Sequence, residues 1–304
     1  MSAPPPRVAA LFVNYNSGEY VANAVSSLLA QRVGGKPADV ELVVVDNASP
    51  ERESDRPHLE KVRREHGATL LWSDRNEGYS GGMARALAAS RAPIVAAINP
   101  DVLFAESALE RLLECLLSSP QVGMVGPCGY LDRDRLVYLP INALPTLDDE
   151  IARFRGRFSA EASLAYSIPR ARETHRVNRA REPIDVGMLS GACMLLRRET
   201  VDRIGFFDPI YPLFYEDGDL CRRVHGAGLR VVHVPGAPIT HFVSRSVVTA
   251  PKSDDPMKRW ATARRRYFRR WYGPLGEAFV DRLDREMPKR HRFSGKPATP
   301  CVDL

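Results

Sequence analysis

Asp101 is the first residue of this chain that suggests chemistry, because it follows a short apolar segment. Residues 94–98 are all apolar, and Pro100 cannot continue a central strand because it has no backbone donor. A carboxylate just beyond the carboxyl end of a buried strand lies where open α/β sheets bind their ligands. We therefore interpret Asp101 as a ligand-binding residue. The alternative is a turn in which Asp101 caps the helix predicted over 106–117.

A second acidic group follows an aromatic pair. Glu216, Asp217 and Asp219 come directly after Phe214 and Tyr215. Like charges and apolar neighbours both disfavour ionisation and so make a carboxylate more basic. This pattern predicts Asp217 or Glu216 as a general base, with the other acids at the positive end of a following helix. The alternative is a capping box of solvated acids.

His241 is a further candidate, as a metal ligand or a phosphate donor. A lone histidine is more often structural, so this residue would not be selected by itself.

Alternating strand and helix patterns must position these side chains. Apolar runs at 8–13, 40–45, 69–72 and 94–98 predict strands, and the patterns at 20–29 and 60–66 predict helices. Residues 76–82 are predicted as a glycine-rich loop before an alanine-rich helix. This alternation implies an α/β fold with a mostly parallel, Rossmann-like sheet and right-handed crossovers. Asn14, Asp46, Asn76 and Asp101 should then gather along one crevice.

The side chains at this crevice suit a nucleotide. Amides and carboxylates match the polar edge of a base and the hydroxyls of a ribose, and glycines let the backbone approach a phosphate. The sequence has neither GxGxxG after the first strand nor GxxxxGK[ST], so neither standard phosphate loop is supported. Taken singly, each polar strand end is more often a turn or cap residue.

The second half of the chain is less regular. We predict a strand at 123–127, a hairpin over 130–139, a strand interrupted by glycines at 187–196, a short helix through 201–204 and a strand at 229–235. Residues 140–183 show little periodicity and many arginines, which favours a long insertion or lid.

Composition sets broader limits. The chain has 304 residues, a net charge of +6 and 44% hydrophobic residues, which fits an ordinary folded protein. Its five cysteines form no CxxC pair, so we expect reduced thiols and no structural zinc site. No apolar run reaches the roughly 18 residues of a membrane span, and no signal-peptide pattern opens the chain. We expect a cytoplasmic protein.

The C-terminal region alternates arginines with aromatic residues over 258–271. A basic, aromatic helix would suit an anionic membrane surface at the inner face, where lipid-linked acceptors are found. Alternatively, such a helix packs its aromatic side chains on the rest of the protein. Binding of nucleic acid is a rival function, but it would explain this tail alone and leave the acidic strand ends unexplained. No nucleic-acid partner is expected.

A series of short motifs resembles the family 2 inverting glycosyltransferases of the GT-A fold, particularly the rhamnosyltransferase-like branch. The motifs are Val13-Asn14-Tyr15-Asn16, Val43-Val44-Val45-Asp46-Asn47-Ala48-Ser49, Asn76-Glu77-Gly78-Tyr79, Asn99-Pro100-Asp101, Ser190-Gly191-Ala192, Phe214-Tyr215-Glu216-Asp217 and His241. They run in order from about residue 8 to about residue 246.

The resemblance implies transfer of a sugar, rhamnose-like or another hexose, from a UDP- or dTDP-sugar to an acceptor hydroxyl in glycan or cell-envelope synthesis. It implies Asp217 as the catalytic base with Glu216 beside it, and Asp101 and His241 at a Mg²⁺ or Mn²⁺ ion that bridges the donor phosphates. Hard oxygen ligands favour these ions over zinc. The nucleotide-sugar site would comprise Asn14, Tyr15, Asn16, Asp46, Asn47, Asn76, Gly78, Arg85, Asn99 and Asp101.

Two positions depart from the family's pattern. Asn99 stands where the metal-binding motif has its first carboxylate, which weakens the expected metal affinity. Ala84 stands where the branch often has asparagine, with Arg85 beside it as a candidate phosphate contact. Two other functions stay open, an inactive nucleotide-sugar binder and a nucleotidyltransferase. The latter would need a basic loop at 14–18, which contains no lysine or arginine.

We accordingly predict a GT-A domain over 1–250 and a basic, helical tail over 251–304. The domain would comprise a nucleotide-sugar half at 1–139, an insertion or lid at 140–183, and a smaller acceptor and catalytic half at 184–250.

Overall fold

The computed structural model describes residues 6–242 and 256–286 and shows a mixed α/β fold built around one curled sheet. The order of the strands in that sheet is β5-β4-β1-β6-β10-β8-β11-β7, with β9 paired to β11. The strands are β1 (Val8–Asn14), β4 (Val40–Asp46), β5 (Thr69–Trp72), β6 (Ile94–Ile98), β7 (Val102–Phe104), β8 (Val122–Tyr130), β9 (Ile184–Asp185), β10 (Cys193–Arg197) and β11 (Arg230–His241). A small separate ribbon joins β2 (Arg32–Val33) to β3 (Lys36–Pro37).

The first four strands of this order are parallel, as the sequence predicts. Along β1, Val8, Ala10 and Phe12 point into the core on one face of the sheet, and the residues between them point into the core on the other. Continuous apolar runs fit strands that are covered on both faces.

Helices cover both faces of the sheet. The described helices are α1 (Gly18–Leu29), α2 (Arg52–His66), α3 (Gly78–Ala88), α4 (Ala108–Leu117), α5 (Leu147–Arg155), α6 (Ala160–Asn178), α7 (Arg198–Ile204), α8 (Glu216–Gly226) and α9 (Pro256–Glu286). Buried side chains of α1, α2 and α4 fill one core, and those of α3, α7 and α8 fill the other.

The other half of the sheet is mixed. Strand β10 is antiparallel to both of its neighbours, β6 and β8. The predicted strand at 187–196 is too long, because regular pairing covers only Cys193–Arg197. The preceding residues form a loop instead, which places Gly191 beside the start of α8.

The glycine-rich segment at 76–82 is a helix start and not the loop that we predicted. Helix α3 already begins at Gly78, whose φ is 74°. A Cβ atom on Gly78 would lie 2.5 Å from the carbonyl oxygen of Pro212, so glycine is needed both for this conformation and for the close approach.

Residues 140–183 contain two helices where we predicted little regular structure. Thr146 Oγ1 accepts from the backbone N–H of Asp149 at the start of α5, and Ser159 Oγ accepts from Ala162 N–H at the start of α6. The predicted hairpin is present, with Tyr130 paired antiparallel to Tyr138. A lid role for this span and the domain boundaries remain predictions.

Helix α9 packs against the rest of the protein, as one of the two interpretations of the basic tail expects. Tyr267 and Phe268 are fully buried and form a cluster with Tyr211. The helix is kinked at Gly273, whose φ is 70°, just before Pro274. Within the two described ranges, no helix is long and apolar enough to span a membrane.

Candidate active site

Asn14, at the carboxyl end of β1, is a structural junction. Its side-chain amide donates to Asp46 Oδ1 at 2.9 Å, to Asp55 Oδ2 at 2.7 Å and to Ser49 Oγ at 3.2 Å. Its Oδ1 accepts from the backbone N–H of Ser17 at 3.1 Å. Asn14 is fully buried. All of its side-chain polar atoms are therefore engaged within the protein, which suits holding Asp46 in place.

Asp55 is a site residue that sequence reasoning missed. It lies on α2 but accepts from the backbone N–H groups of Ser17, at 3.1 Å, and Gly18, at 2.9 Å. Ser17 itself provides no side-chain cap for α1. Asp55 therefore caps α1 from another helix, and only its charge could have suggested a role.

Asp46 is buried at the end of β4 beside a cation. Its Oδ2 lies 2.9 Å from Arg52 Nε and accepts from the backbone N–H of Ser49 at 3.3 Å. The Arg52 guanidinium also lies 5.3 Å from the ring centre of Trp72. A base that bonds to Oδ2 of Asp46 would have to displace Arg52, whose side chain is 28% exposed.

Asn47 links two loops at this edge of the sheet. Its amide donates to Asn76 Oδ1 at 2.9 Å and to the carbonyl oxygen of Gly78 at 3.0 Å. Its Oδ1 accepts from the backbone N–H of Glu77 at 3.0 Å. The strand-end residues at 14, 46, 47 and 76 thus form one connected cluster, as the parallel sheet predicts.

The remaining nucleotide candidates lie around this cluster. Asn16 adopts φ 51°, and its Oδ1 accepts from the backbone N–H of Glu51 at 3.0 Å. Tyr15 is partly exposed. Arg85 donates to Ser73 Oγ at 2.5 Å and lines a cavity of about 860 Å³ beside α3. That cavity also includes Asn76 and Gly78, so Arg85 adjoins the cluster.

Asp101 and His241 meet directly. His241 Nε2 lies 3.1 Å from Asp101 Oδ1 and 3.3 Å from Asn99 Nδ2, and both Asp101 and His241 are buried. They are neighbours because the end of β11 pairs with β7, His241 opposite Val102.

These two residues fit a divalent cation that also takes oxygens from a substrate. His241 Nδ1 is buried without a hydrogen-bond partner. The described residues contain no group of three or more histidine, cysteine, aspartate or glutamate side chains suited to a metal. A carboxylate plus donor phosphates is the usual way in which proteins bind Mg²⁺. Asp101 and His241 would therefore supply only part of a ligand set, which a diphosphate would complete.

Asp217 lies in the first turn of α8, held by backbone donors. Its Oδ1 accepts from the N–H of Gly218 at 2.8 Å, and its Oδ2 accepts from the N–H of Gly191 at 3.2 Å. Burial nevertheless raises the pKa of Asp217 above its ordinary value. Burial, together with the charge of Asp217, also raises the pKa of Glu216, whose Oε2 has no hydrogen-bond partner. Burial thus makes both acids more basic, and backbone donors fix both oxygens of Asp217 while Oε2 of Glu216 has no partner.

The backbone before α8 is strained. Phe214 and Tyr215 adopt consecutive left-handed conformations, with φ of 70° and 67°, although neither is glycine. Tyr215 is held by ring contacts with α9, 5.2 Å from Tyr267 and 6.0 Å from Trp260 between centroids. The tail helix thereby stabilises the turn that presents Glu216 and Asp217.

Asp219 also connects α8 to the tail helix α9, through a hydrogen bond and an ion pair. Its Oδ1 accepts from Trp271 Nε1 at 2.9 Å and lies 3.2 Å from Arg270 Nε. Its Oδ2 lies 2.8 Å from Arg223 Nε on the next turn of α8. Asp219 is fully buried, so the third acid of the motif is structural.

Tyr79 is a second residue that was not selected from the sequence, although it belongs to one of the motifs named there. Its hydroxyl is buried without a hydrogen-bond partner. Burial raises its pKa well above the ordinary value, and the charges of Glu216, Asp217 and Asp101 raise it further. The position of Tyr79 directly after Gly78, at the start of a helix, was the feature of the sequence that could have identified it. The two acidic motifs are linked through Gly191 and Ala192, because Gly191 N–H donates to Asp217 and the Ala192 carbonyl oxygen accepts from the N–H of Asn99 at 2.9 Å.

Comparison with known proteins agrees with this geometry. Residues 5–273 match the family described as glycosyltransferase like family 2. An N-acetylglucosaminyl-diphospho-decaprenol L-rhamnosyltransferase of Mycobacterium tuberculosis is 29% identical over 255 residues, which cover 79% of this chain and 78% of the relative. A low-salt glycan biosynthesis hexosyltransferase, Agl10, of Haloferax volcanii is 24% identical over 225 residues, covering 73% and 62%.

Two solved structures share the fold. A mannosyltransferase of Pyrobaculum calidifontis, solved with GDP-Man and Mn²⁺, has a TM-score of 0.56 at 18% identity and covers 92% of this chain. GalNAc-T7, solved with UDP, GalNAc and Mn²⁺, also has a TM-score of 0.56, at 13% identity, and covers 79%. The chain spans 65% and 44% of these two structures. The predicted GT-A fold is confirmed, and this chain belongs to the family 2 glycosyltransferases.

Proposed function

We propose that this glycosyltransferase moves a rhamnose or another hexose from a UDP- or dTDP-sugar to an acceptor hydroxyl, with inversion at the anomeric carbon. The relatives named above support sugar transfer, and one of them acts on a decaprenol-linked acceptor. A lipid-linked acceptor at the inner face of the membrane is part of this proposal.

The observation that carries the proposal is the link between the two acidic motifs. Gly191 N–H donates to Asp217 at 3.2 Å, and the adjacent Ala192 carbonyl oxygen accepts from the N–H of Asn99, in the motif of Asp101, at 2.9 Å. An inverting transfer needs a base on one side of the sugar and a site for the leaving diphosphate on the other. Asp217 supplies the base, because burial makes its carboxylate more basic and the N–H groups of Gly191 and Gly218 fix its orientation.

At the other side, Asp101 and His241 would hold Mg²⁺ or Mn²⁺ together with the donor phosphates. When bound, such a cation neutralises charge that develops on the leaving diphosphate. The Mn²⁺ in the two solved structures supports this choice of ion. Asn99 in place of a carboxylate leaves Asp101 as the motif's one acidic ligand. We therefore expect the affinity for the cation to depend strongly on the donor phosphates.

Asp46 would accept a hydrogen bond from a pyrimidine N–H. Its Oδ1 accepts only from Asn14 among the described residues, so a lone pair remains on that oxygen for a base, while Arg52 bonds to Oδ2. Arg52 and Trp72 then border the base site. This feature supports a uracil or thymine donor over a donor that is recognised through phosphates alone.

The test is donor hydrolysis with a panel of UDP-, dTDP- and GDP-sugars, with and without Mn²⁺. We expect turnover of a pyrimidine donor that Asp217→Asn reduces by at least about 1,000-fold while donor binding survives. Asp202→Asn, at an exposed position on α7, is the matched control. Full activity of Asp217→Asn would exclude it as the base. Donor binding without turnover by the native protein would indicate a binding protein instead.

A further inference from the structure

An apolar and basic surface lies on the helical insertion. Its apolar side chains are Phe158, Leu164 and Ile168, which are 60%, 59% and 45% exposed. Leu164 and Ile168 lie one turn apart on the same face of α6, and that face continues to Arg172 and His175, both exposed. Together with the basic residues described next, we call this surface the α6 patch.

The α6 patch carries unpaired positive charge. Arg155, Arg172, Arg179 and Arg181 are exposed, and the described part of the chain gives none of them a hydrogen bond or an ion pair through its side chain. By contrast, Arg170 pairs with Asp149 on the neighbouring helix, as other arginines of this chain pair with nearby acids. Glu161, Glu182 and Asp185 are exposed acids at its margins, and Asp185 pairs with Arg230.

This combination matches an anionic lipid surface. Arginines attract acidic headgroups, while exposed leucine, isoleucine and phenylalanine side chains enter the boundary between headgroups and acyl chains. A surface helix of a folded protein normally turns its apolar side chains inward. Helix α6 instead buries only Val177 fully.

The tail helix α9 offers less of such a surface, although Met257 and Leu275 are exposed on it. Its aromatic residues Tyr267 and Phe268 are buried, and Arg264 lies between Glu150 and Asp284 in ion pairs of 2.7 and 2.8 Å. The charges and apolar groups that suggested membrane binding are thus largely used in packing.

The α6 patch is also attached to the active site. Val177, at the inner side of α6, packs in one core with Met188 and Leu189. The loop that contains these residues leads to Gly191, whose N–H holds Asp217. The α6 patch therefore lies on the opposite side of α6 from the loop that contacts Asp217.

We propose that the α6 patch docks the protein on an anionic membrane. The docked orientation presents the pocket around Asp217 to an acceptor held in that membrane; this role of the orientation rests on the proposed function.

The test is co-sedimentation of the full chain with phosphatidylglycerol-containing vesicles and with pure phosphatidylcholine vesicles. We expect salt-sensitive binding to the anionic vesicles alone. Arg172→Glu/Arg179→Glu should weaken it at least about 25-fold, because each basic residue near such a surface contributes about fivefold. Leu164→Ser/Ile168→Ser should weaken binding by a similar factor and lower the melting temperature only slightly, because both side chains are already about half exposed.

Two matched controls carry the same charge change elsewhere. Lys61→Glu/Arg64→Glu, on the exposed side of α2, and Lys258→Glu/Arg269→Glu, on the tail helix, should keep most of the binding. Binding that is lost in the tail variant and kept in the α6 variants would overturn the proposal. Absence of vesicle binding, or a dimer that Leu164→Ser/Ile168→Ser dissociates, would do so too.

Donor hydrolysis in the same samples separates this proposal from the proposed function. Vesicle binding without turnover would leave the docking surface intact and remove the enzymatic role. Turnover without vesicle binding would support the enzymatic role and overturn the docking surface.

Discussion

His241 Nε2 lies 3.1 Å from Asp101 Oδ1, although the two residues are far apart in the chain. Strand β11 brings them together by pairing with β7 at the carboxyl edge of the sheet. A cation would bind where a carboxylate, an imidazole and the donor phosphates converge.

Asp101→Asn should remove Mn²⁺-dependent activity. Loss of the carboxylate removes the one charged oxygen ligand at this site, so we expect a decrease of about 100-fold in kcat/KM. Calorimetry should show that Mn²⁺ no longer strengthens UDP binding. Asp185→Asn, exposed on β9, serves as the control. Unchanged Mn²⁺ stimulation in Asp101→Asn would place the cation elsewhere.

Tyr79→Phe should separate stability from activity. The Tyr79 hydroxyl is buried without a partner, so its removal should change the free energy of unfolding by less than about 1 kcal/mol, or increase it. If the hydroxyl contacts the substrate, kcat/KM should fall at least about tenfold, measured beside urea unfolding. A structural role predicts the reverse, a loss of stability with kcat/KM retained in the folded fraction.

Glu216→Gln should stabilise the protein at neutral pH. Burial raises the pKa of Glu216 in the folded state above its value in the unfolded chain. Protonation therefore favours folding, and the charged form costs stability once the pH exceeds the unfolded value of about 4.3. The gain in melting temperature should be clear at pH 7 and should disappear near pH 4. A lower melting temperature of Glu216→Gln at pH 7 would contradict this sign.

Arg264→Met should destabilise the fold far more than the same change at Arg282. Arg264 is 1% exposed, and its loss leaves the buried Glu150 with Arg153 as its remaining cation, so we expect a cost of about 3 kcal/mol, at the low end for a broken buried pair. The pair between Arg282 and Glu286 is exposed, so Arg282→Met should cost less than about 1 kcal/mol. Urea titrations of both variants give the comparison. Equal urea midpoints for the two variants would mean that the ion pair between Arg264 and Glu150 does not hold α9 to α5.

The sequence was sufficient for those parts of the site where a local pattern determines the outcome. Apolar runs ending in polar residues placed Asn14, Asp46 and Asp101 at the ends of parallel strands, and the structure gathers them at one edge. The direction of β10 was not predictable, because an apolar run of five residues pairs equally well in either direction.

Other features depend on contacts that no local pattern reveals. Asp55 caps α1 from α2. The pKa of Tyr79 is raised by burial and by the charges of acids from two distant segments of the chain. Helix α6 contains Pro169 and buries only Val177 fully, so its sequence has little of the apolar periodicity on which helix prediction relies. The two helices of the insertion were missed for this reason.

The paired left-handed residues before α8 have a consequence for synthesis of the protein. Tyr215 is held by Trp260 and Tyr267, which belong to the last helix described. A ribosome makes that helix after every other element of the site. Under the proposed function, the nascent chain would therefore form the edge that binds the donor before the turn that orients Asp217 is fixed, and it would become active only after α9 has docked.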